Sequence, residues 1–367
     1  MNPREPIVRA EAWLCELAVE RPRTDAMQSF RAQETVFVEL TLASGARGLG
    51  YTYTIGTGGG AVLSLLRETL LPAVVGLDAT RPEALWTALL DTTRATTVGA
   101  ITALAIAAVD TAAWDATTRR DGRPLWQAAG GAQESVPTYD TEGGWLHLHV
   151  DELVQGAVAA QQAGFAGIKV KVGKPSLAED LDRLTAVRAA VGSADGFEIM
   201  LDANQCFTLD DAIRRARAFE AIDPAWLEEP LPADDPLAHQ QLARATTIPI
   251  AVGESLYSIR QFQTYASLGA ATILQPDVAR IGGITPWLKV AHLAETHSLP
   301  VAPHFLMELH VSLACAVPNG RYVEHVPQLS AITRTTQQVR EGRLHAPITP
   351  GLGIDWNRDE IDRRRIA

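Results

Sequence analysis

The second half of the chain repeats one pattern, and this repeat constrains the fold more than any other feature. After Gly131, short apolar runs typical of strands alternate with longer amphipathic segments typical of helices. The eight predicted strands cover residues 136–139, 168–172, 198–202, 226–229, 248–253, 273–275, 300–302 and 322–324. Eight strands alternating with helices predict a (β/α)8 barrel of the TIM type, in the α/β class.

The first part of the chain has a different order. Residues 36–42 and 48–53 predict an antiparallel meander, and helical periodicity follows over residues 61–120. Strands followed by helices are typical of an α+β unit. The polar, arginine-rich stretch 21–33 predicts a loop. We therefore predict three parts, which are an N-terminal α+β domain over 1–130, a barrel domain over 131–330 and a C-terminal segment over 331–367 that returns to the first domain.

Composition narrows the class of partner and the compartment. The chain has 367 residues and a formal net charge of -11, which disfavours binding to nucleic acid or to an anionic membrane surface. The most apolar run, residues 100–113, is too short to span a bilayer and contains Asp110. No apolar signal region is present at the start of the sequence. Three cysteines, Cys15, Cys206 and Cys315, occur without a CxxC motif. We therefore expect a cytoplasmic protein.

Two lysines stand out in the second predicted barrel strand. Lys169 and Lys171 alternate with aliphatic residues, so both amines project from one face of the strand. Two neighbouring ammonium groups repel, which lowers the pKa of each. An amine with a lowered pKa can act as a base near neutral pH. Taken alone, this pattern is more typical of a solvated edge strand.

Ionisable residues at the ends of the other strands favour the catalytic interpretation. The second to eighth strands end on or near Lys171, Asp202, Glu228, Glu254, Asp277, His304 and Glu324, at intervals of 20 to 31 residues. In such barrels the carboxyl ends of the strands meet at one mouth, where active sites lie. Seven such residues at one mouth would crowd like charges at a cost that no structural role explains. We therefore predict the active site there.

Three of these residues form a candidate metal site. Asp202, Glu228 and Glu254 follow adjacent strands, and three facing carboxylates repel unless a cation lies between them. Oxygen ligands favour Mg²⁺, which keeps open positions for water or substrate. The alternative is that Glu228 or Glu229 only forms a salt bridge at the barrel rim. Asn204, two residues beyond Asp202, is a candidate substrate-binding residue.

Asp277 and His304 end neighbouring strands and form a candidate acid/base pair. A carboxylate beside an imidazole fixes the tautomer of the ring and raises its pKa. His304 would then be a second acid/base group, across the mouth from Lys171; the alternative is a structural histidine that caps a loop. Glu324 could donate a hydrogen bond to substrate if burial near other carboxylates raises its pKa.

The sequence lacks the motifs of several common reaction classes. The sequence has no phosphate-binding loop, no GxSxG, no HExxH and no Cys/His zinc spacing, which disfavours phosphoryl transfer, serine hydrolysis and zinc chemistry. His147 and His310 lie near the mouth by sequence and are candidate substrate contacts.

Together these motifs resemble the enolase superfamily, and within it the mandelate racemase subgroup. The resemblance is carried by Lys169-Val-Lys171, Asp202-Ala-Asn204, Glu228-Glu-Pro230, Gly253-Glu254, Gln275-Pro-Asp277 with Ile281-Gly-Gly283, and Pro303-His304. It covers nearly the whole chain, and the N-terminal part is similar to the capping domain of the family. Asp277, rather than a lysine, looks unlike the muconate cycloisomerase branch. Residues 139–147, 174–180 and 302–310 look most like galactarate/talarate-type acid-sugar dehydratases.

The resemblance implies removal of the proton alpha to a carboxylate, with one Mg²⁺ per subunit. Lys171 and His304 would act from opposite faces of the substrate, Asp277 would orient His304, Lys169 would add positive charge near the carboxylate, and Glu324 would donate a hydrogen bond. The implied reaction is dehydration of an aldarate or aldonate, such as galactarate or talarate, to a 2-keto-3-deoxy acid.

The same residues permit other outcomes. Racemisation, epimerisation or cycloisomerisation of a hydroxy acid or sugar-acid lactone is the main alternative. A non-catalytic binding protein is a remote alternative, because none of the predicted ligands and bases is missing. A homo-oligomer is expected by analogy with the family.

Overall fold

The computed structural model describes residues 4–335 and 337–367, without the side chains of Glu20 and Arg31. The first sheet has three antiparallel strands in the order β1-β2-β3. They are β1 (Ile7–Thr24), β2 (Ser29–Leu42) and β3 (Arg47–Thr54). Val36, Val38 and Phe37 of β2 are all fully buried, so both faces of this strand are covered.

The stretch 21–33, predicted as a loop, is instead the tip of a β-hairpin. β1 continues to Thr24, β2 begins at Ser29, and these two residues pair, as do Arg23 and Phe30. Asp25 closes the turn, because its Oδ1 accepts backbone N–H groups 2.7 and 2.8 Å away. The loop prediction was wrong because several side chains here line a cavity at the barrel mouth and not an apolar core, so the sequence lacks a period-two apolar pattern.

Helices follow the first sheet. They are α1 (Gly59–Leu65), α2 (Leu71–Val74), α3 (Pro82–Thr92), α4 (Ala100–Arg120) and α5 (Leu125–Ala128), with a π-helical turn Leu66–Leu70 between the first two. The alanine-rich helix α4 lies directly on β3 because Gly48 and Gly50 have no side chain. A Cβ at either glycine would lie 2.2 or 2.1 Å from a carbonyl oxygen of α4. Within the described ranges, no helix has both the length and the apolar character needed to cross a membrane.

The second sheet curls into the predicted barrel. Its strands are β4 (Ser135–Asp140), β5 (Gly167–Lys171), β6 (Glu198–Asp202), β7 (Trp226–Glu228), β8 (Ile250–Val252), β9 (Ile273–Leu274) and β10 (Val323–His325). Neighbours pair in parallel, and β10 returns to β4. The predicted strand between β9 and β10 is reduced to a bridge at Val301, which pairs with Leu274 and Gly320.

Seven helices alternate with these strands. They are α6 (Val150–Gln162), α7 (Leu177–Val191), α8 (Leu209–Phe219), α9 (Pro236–Ala243), α10 (Ile259–Leu268), α11 (Ile284–Thr296) and α12 (Met307–Ala316). Several begin where a side chain caps free backbone N–H groups, as Ser176 does for α7 and Thr208 for α8. The barrel prediction is confirmed, with its sheet and helices in the expected order.

The chain end contacts both sheets. Strand β11 (Arg343–His345) pairs antiparallel with β4, and helix α13 (Arg358–Arg363) follows. Beyond α13, the backbone of Ile366 donates to the carbonyl of Leu14 on β1 at 2.8 Å. Trp356 packs edge-on against Phe37, with 5.2 Å between ring centroids. The domain boundaries at residues 130 and 330 stay a prediction.

We predict that Asp115 of α4 is a major stabilising residue. Its carboxylate is buried and accepts the backbone N–H groups of Leu49 on β3 and Leu352 near the chain end, each at 2.9 Å. Asp115→Ala would leave two buried donors without an acceptor, so the free energy of unfolding should fall by about 2 to 4 kcal/mol. Urea denaturation followed by circular dichroism measures this change.

The matched control is Asp182→Ala on the exposed face of α7. A surface substitution of this kind should change the free energy of unfolding by less than about 0.5 kcal/mol. Equal stability of the Asp115 and Asp182 variants would show that the buried Asp115 carboxylate does not stabilise the contact of α4 with β3 and with the chain end.

Candidate active site

The three predicted metal ligands lie together at the barrel mouth. Asp202 ends β6, Glu228 ends β7, and Glu254 lies two residues beyond β8. One oxygen from each carboxylate lies within 4.8 Å of an oxygen of both others, and all three residues are buried. Strand register explains part of this arrangement, because Lys171 pairs with Asp202 and Asp202 pairs with Glu228 along the parallel sheet.

The carboxylate cluster fits one divalent cation. Burial raises the pKa of Glu228 to about 7, and the Asp202 and Glu254 charges add to this effect against the opposing charge of Lys169. Glu254 Oε2 is buried and accepts no well-aligned hydrogen bond from a described residue, although His304 Nε2 lies 3.3 Å away. This buried oxygen and two further carboxylates provide the hard ligands that Mg²⁺ prefers.

Lys171 lies at one side of this cluster. Its Nζ is 2.5 Å from Asp202 Oδ2, donates to Asn204 Oδ1 at 3.0 Å, and lies 5.4 Å from the ring centroid of Trp145. The predicted lowering of its pKa is wrong for this arrangement. Burial and Lys169 both favour the neutral amine, but the Asp202, Glu254 and Glu228 carboxylates together outweigh them and raise the pKa of Lys171.

Lys169 joins the cluster to the last barrel strand. Its Nζ lies 3.0 Å from Glu228 Oε1 and 2.7 Å from Glu324 Oε1. Glu324 also accepts hydrogen bonds from Thr141 Oγ1 at 2.7 Å and from the backbone N–H of Phe305 at 2.9 Å. Although burial opposes ionisation, Lys169 holds the pKa of Glu324 well below its ordinary value. The prediction of a raised pKa was wrong, and Glu324 is an acceptor in this arrangement.

Asp277 and His304 form the predicted pair. His304 Nδ1 lies 2.9 Å from Asp277 Oδ2, while Asp277 Oδ1 accepts backbone N–H groups from Ala279 and Arg280. Burial opposes ionisation of Asp277, but the hydrogen bond and charge of His304, with the charge of Arg280, lower its pKa to about 2. An ionised carboxylate can only accept, so Nδ1 of the imidazole carries the shared proton. Burial lowers the pKa of His304, but the Glu254 carboxylate, the hydrogen bond to Asp277 and the Glu324 carboxylate together outweigh it, and the net shift is upward.

The two acid/base candidates approach the carboxylates from different sides. Lys171 contacts Asp202, whereas His304 Nε2 lies 3.3 Å from Glu254 Oε2. Both face one cavity, whose barrel side also includes Asn204. The opposite side of the cavity is formed mainly by the hairpin tip, through Val19, Arg23, Asp25, Gln28, Phe30 and Gln33.

The structure adds residues that the sequence patterns did not identify. Arg280 lines the cavity and donates from Nη1 to the carbonyl of Glu254 at 3.1 Å; its position three residues after Asp277 was a usable signal. Tyr53 on β3 donates from Oη to Asp277 Oδ2 at 2.7 Å, across 224 residues of sequence. No spacing rule links these two positions.

Two predicted substrate contacts lie elsewhere. His147 is exposed, with its Nδ1 2.8 Å from Thr24 Oγ1 of the hairpin. His310 is fully buried inside α12, where its Nε2 accepts the backbone N–H of Val278 at 3.1 Å and burial lowers its pKa to about 4. Neither residue lines the cavity. The interpretation of both as substrate contacts is at odds with these positions.

Comparison with known proteins gives matches over most of the chain. The N-terminal domain of the mandelate racemase / muconate lactonizing enzyme family matches residues 9–130, and the enolase C-terminal domain-like family matches residues 152–360. L-talarate/galactarate dehydratase of Salmonella typhimurium is 37% identical over 319 residues, which cover 87% of this chain and 79% of that protein. The 3,6-anhydro-alpha-L-galactonate cycloisomerase of Streptomyces coelicolor is also 37% identical, over 93% of each chain.

A solved structure agrees with these matches. L-talarate dehydratase from Polaromonas, crystallised with Mg and L-glucarate, has a TM-score of 0.94 and 36% identity to this chain, and the alignment covers 99% of this chain and 98% of that one. The fold over nearly the whole chain is thus similar to that of this dehydratase. The chain belongs to the mandelate racemase / muconate lactonizing enzyme family, within the enolase superfamily.

Proposed function

We propose that this protein is a Mg²⁺-dependent dehydratase that converts an acid sugar to a 2-keto-3-deoxy acid. The substrate would be an aldonate or an aldarate, with galactarate and talarate as the first candidates. One observation carries the proposal: Lys171 and His304 face the same cavity and contact different members of the carboxylate cluster. One such group can remove an alpha proton while the other protonates the leaving hydroxyl.

Asp202, Glu228 and Glu254 would hold the cation. A divalent cation there supplies positive charge that stabilises negative charge developing on the substrate carboxylate. Lys169 adds a second positive charge, because its ammonium lies between Glu228 and Glu324. Glu324 would act through Lys169, and would donate to substrate only after gaining a proton.

Lys171 or His304 would remove the alpha proton. The Nδ1 proton of His304 is shared with Asp277, which leaves Nε2 as the atom that accepts a proton. Lys171 has a raised pKa in this arrangement because of the surrounding carboxylates, to which Asp202 contributes most. An Asp202 carboxylate engaged as a ligand would stabilise the ammonium less, so that Lys171 could then act as a base.

The group that did not remove the proton would complete the reaction. In a dehydration it protonates the hydroxyl at C3 as the C3–O bond breaks, water leaves, and the resulting enol becomes the 2-keto-3-deoxy acid. In a racemisation the same group returns a proton to the alpha carbon instead. The two outcomes differ in whether a leaving oxygen lies within reach of the acid.

A second candidate is a cycloisomerase that opens an anhydro ring or lactone of a sugar acid. It is favoured by the relative from Streptomyces coelicolor, which matches at 37% identity over 93% of each chain. The bases and the cation would act as before. The departing oxygen would be a ring oxygen that stays attached to the product, so substrate and product would have equal mass.

The outer part of the cavity offers groups that could bind distal hydroxyls. Gln33 Oε1 and Trp145 Nε1 are buried and make no hydrogen bond with any described residue, and both residues line the cavity. Leaving such groups unpaired costs about 1 to 3 kcal/mol each, which hydrogen bonds to substrate hydroxyls would offset. We propose that these two residues and Asn204 bind the polyhydroxyl chain.

Assembly and compartment remain proposals. We propose a homo-oligomer, by analogy with the family, and light scattering on the purified protein would measure its mass. We also propose a cytoplasmic location. Cys15, Cys206 and Cys315 are all free thiols, which fits a reducing compartment.

The reaction is tested by incubating the purified protein and Mg²⁺ with a library of aldonates, aldarates and anhydro sugar acids. We expect a keto acid that is lighter than its substrate by one water, detected by mass spectrometry. A keto acid of unchanged mass would support the cycloisomerase, and deuterium exchange alone would support a racemase. Failure to transform any of these compounds would contradict the proposed function.

The two-base scheme predicts that Lys171→Ala and His304→Asn each lower kcat by about 10² to 10⁴-fold, because each removes one group that transfers a proton. One variant should still exchange the alpha proton with D₂O from the face of its remaining base, which NMR measures. Lys174→Ala and His297→Asn, outside the cavity, are controls that should keep full activity. Normal kcat in both active-site variants would reject the scheme.

The metal site predicts inactivation by EDTA and recovery on addition of Mg²⁺. Asp202→Asn should weaken Mg²⁺ binding measured by calorimetry, since it removes one anionic ligand. The matched control is Asp210→Asn on the exposed start of α8, which should bind Mg²⁺ normally. Full activity in excess EDTA would show that the carboxylates do not form a catalytic metal site.

A further inference from the structure

A tyrosine of the N-terminal sheet contacts the carboxylate behind His304. Tyr53 is one residue from the end of β3 and is buried. Its Oη donates to Asp277 Oδ2 at 2.7 Å, and the same oxygen lies 2.9 Å from His304 Nδ1. The two donors therefore share one acceptor atom. Tyr53 itself is not among the residues that line the cavity.

The direction of this hydrogen bond follows from chemistry. An ionised carboxylate has no proton to give, so the phenol must be the donor. Burial raises the pKa of Tyr53, which keeps the phenol protonated. Asp277 then accepts four hydrogen bonds: Ala279 and Arg280 donate to Oδ1, and Tyr53 and His304 donate to Oδ2. Four fixed donors define the orientation of the carboxylate plane.

Tyr53 also supports the imidazole through an aromatic neighbour. The ring of Tyr53 packs on Phe305, with centroids 4.7 Å apart. Phe305 in turn stacks on His304, with centroids 5.5 Å apart and an interplanar angle of 19°. Tyr53 thus reaches His304 by two routes, one polar through Asp277 and one apolar through Phe305.

We propose that Tyr53 is a positioning residue that holds the Asp277–His304 pair and makes His304 chemistry depend on how β3 sits against the barrel. The tyrosine fixes Asp277, Asp277 fixes the Nδ1–H tautomer, and Nε2 is kept toward Glu254 and the cavity. This inference rests on the proposed function only in assigning His304 as an acid/base group. The positioning itself concerns hydrogen bonds that can be measured without turnover.

Lys171 is held by different contacts, which makes the inference specific. Its backbone N–H donates to the carbonyl of Gly144 at 2.8 Å, and Arg183 Nη1 donates to its carbonyl at 2.9 Å. Neither partner touches Tyr53 in the hydrogen bonds of the described residues. Loss of the Tyr53 hydroxyl should therefore impair His304 and spare Lys171.

The chain offers a matched control on the same strand. Tyr51 lies two residues before Tyr53 on β3 and is equally buried. Its hydroxyl makes no hydrogen bond with any residue that the structure describes. Tyr51→Phe and Tyr53→Phe remove the same atom from the same strand, and only the second removes a donor to Asp277.

The first experiment measures steady-state kinetics and alpha-proton exchange in D₂O for both C2 epimers of the substrate. His304→Asn identifies the epimer that His304 deprotonates. Tyr53→Phe should lower kcat about ten- to hundredfold, the range expected for one hydrogen bond to a charged group, with KM nearly unchanged. Exchange should slow for the His304 epimer alone. Equal slowing of both epimers, or an equal loss in Tyr51→Phe, would overturn the inference.

The second experiment needs neither substrate nor metal. In ¹⁵N-histidine NMR spectra, the His304 signals are identified by their loss in His304→Asn. We expect Tyr53→Phe to shift the His304 ring nitrogens and Tyr51→Phe to leave them unchanged. Unshifted His304 signals in Tyr53→Phe would refute the positioning role. This result is decisive even if no acid sugar is turned over, an outcome that would reject the proposed function alone.

Discussion

Electrostatic repulsion among three carboxylates at the barrel mouth is the constraint on which the rest of the site depends. In-register parallel pairing brings Lys171, Asp202 and Glu228 side by side, and Glu254 completes the cluster. The protein surrounds these charges with cations, since Lys169 contacts Glu228 and Arg280 contacts Glu254. Because the barrel aligns strand ends from distant parts of the chain, it brings together both the carboxylates that repel one another and the cationic side chains that neutralise them.

This compensation explains why reasoning from neighbouring residues gave the wrong direction for two pKa values. The KxK pattern shows two lysines that repel. It does not show that Asp202 and Glu228, from other strands, lie beside the amines and help to raise the pKa of both lysines. Likewise, Glu324 was considered among carboxylates, whereas its dominant charged partner is Lys169. In both cases the deciding charge belongs to a different strand. Asp202 is the charge that contributes most to raising the pKa of Lys171.

The sequence was sufficient to predict the barrel, the carboxylate cluster and the Asp277–His304 pair, because each depends on the periodicity of apolar residues or on a residue at a strand end. Periodicity failed for the hairpin at 21–33, where side chains face a polar cavity and the alternation that indicates a strand is missing. Proximity in sequence failed for His310, which follows the seventh strand closely but lies inside α12. The Tyr53–Asp277 hydrogen bond joins residues 224 positions apart. It depends on how the N-terminal sheet packs against the barrel, which no local sequence pattern indicates.

These contrasts indicate how one barrel serves several reactions. The barrel supplies the proposed cation ligands and the two proposed bases, and the hairpin tip supplies most of the opposite cavity surface. The chain is 37% identical both to a dehydratase and to a cycloisomerase, and the bases proposed here would serve either reaction. We therefore expect selectivity to depend mainly on the surface over the substrate. Tyr53 links the hairpin sheet to the proposed catalytic groups. It belongs to the sheet that carries the hairpin, and its hydroxyl donates to Asp277, the carboxylate that would orient His304. Changes in how this sheet seats over a new substrate would therefore alter His304 more than Lys171, and would shift the balance between reactions that start from opposite faces.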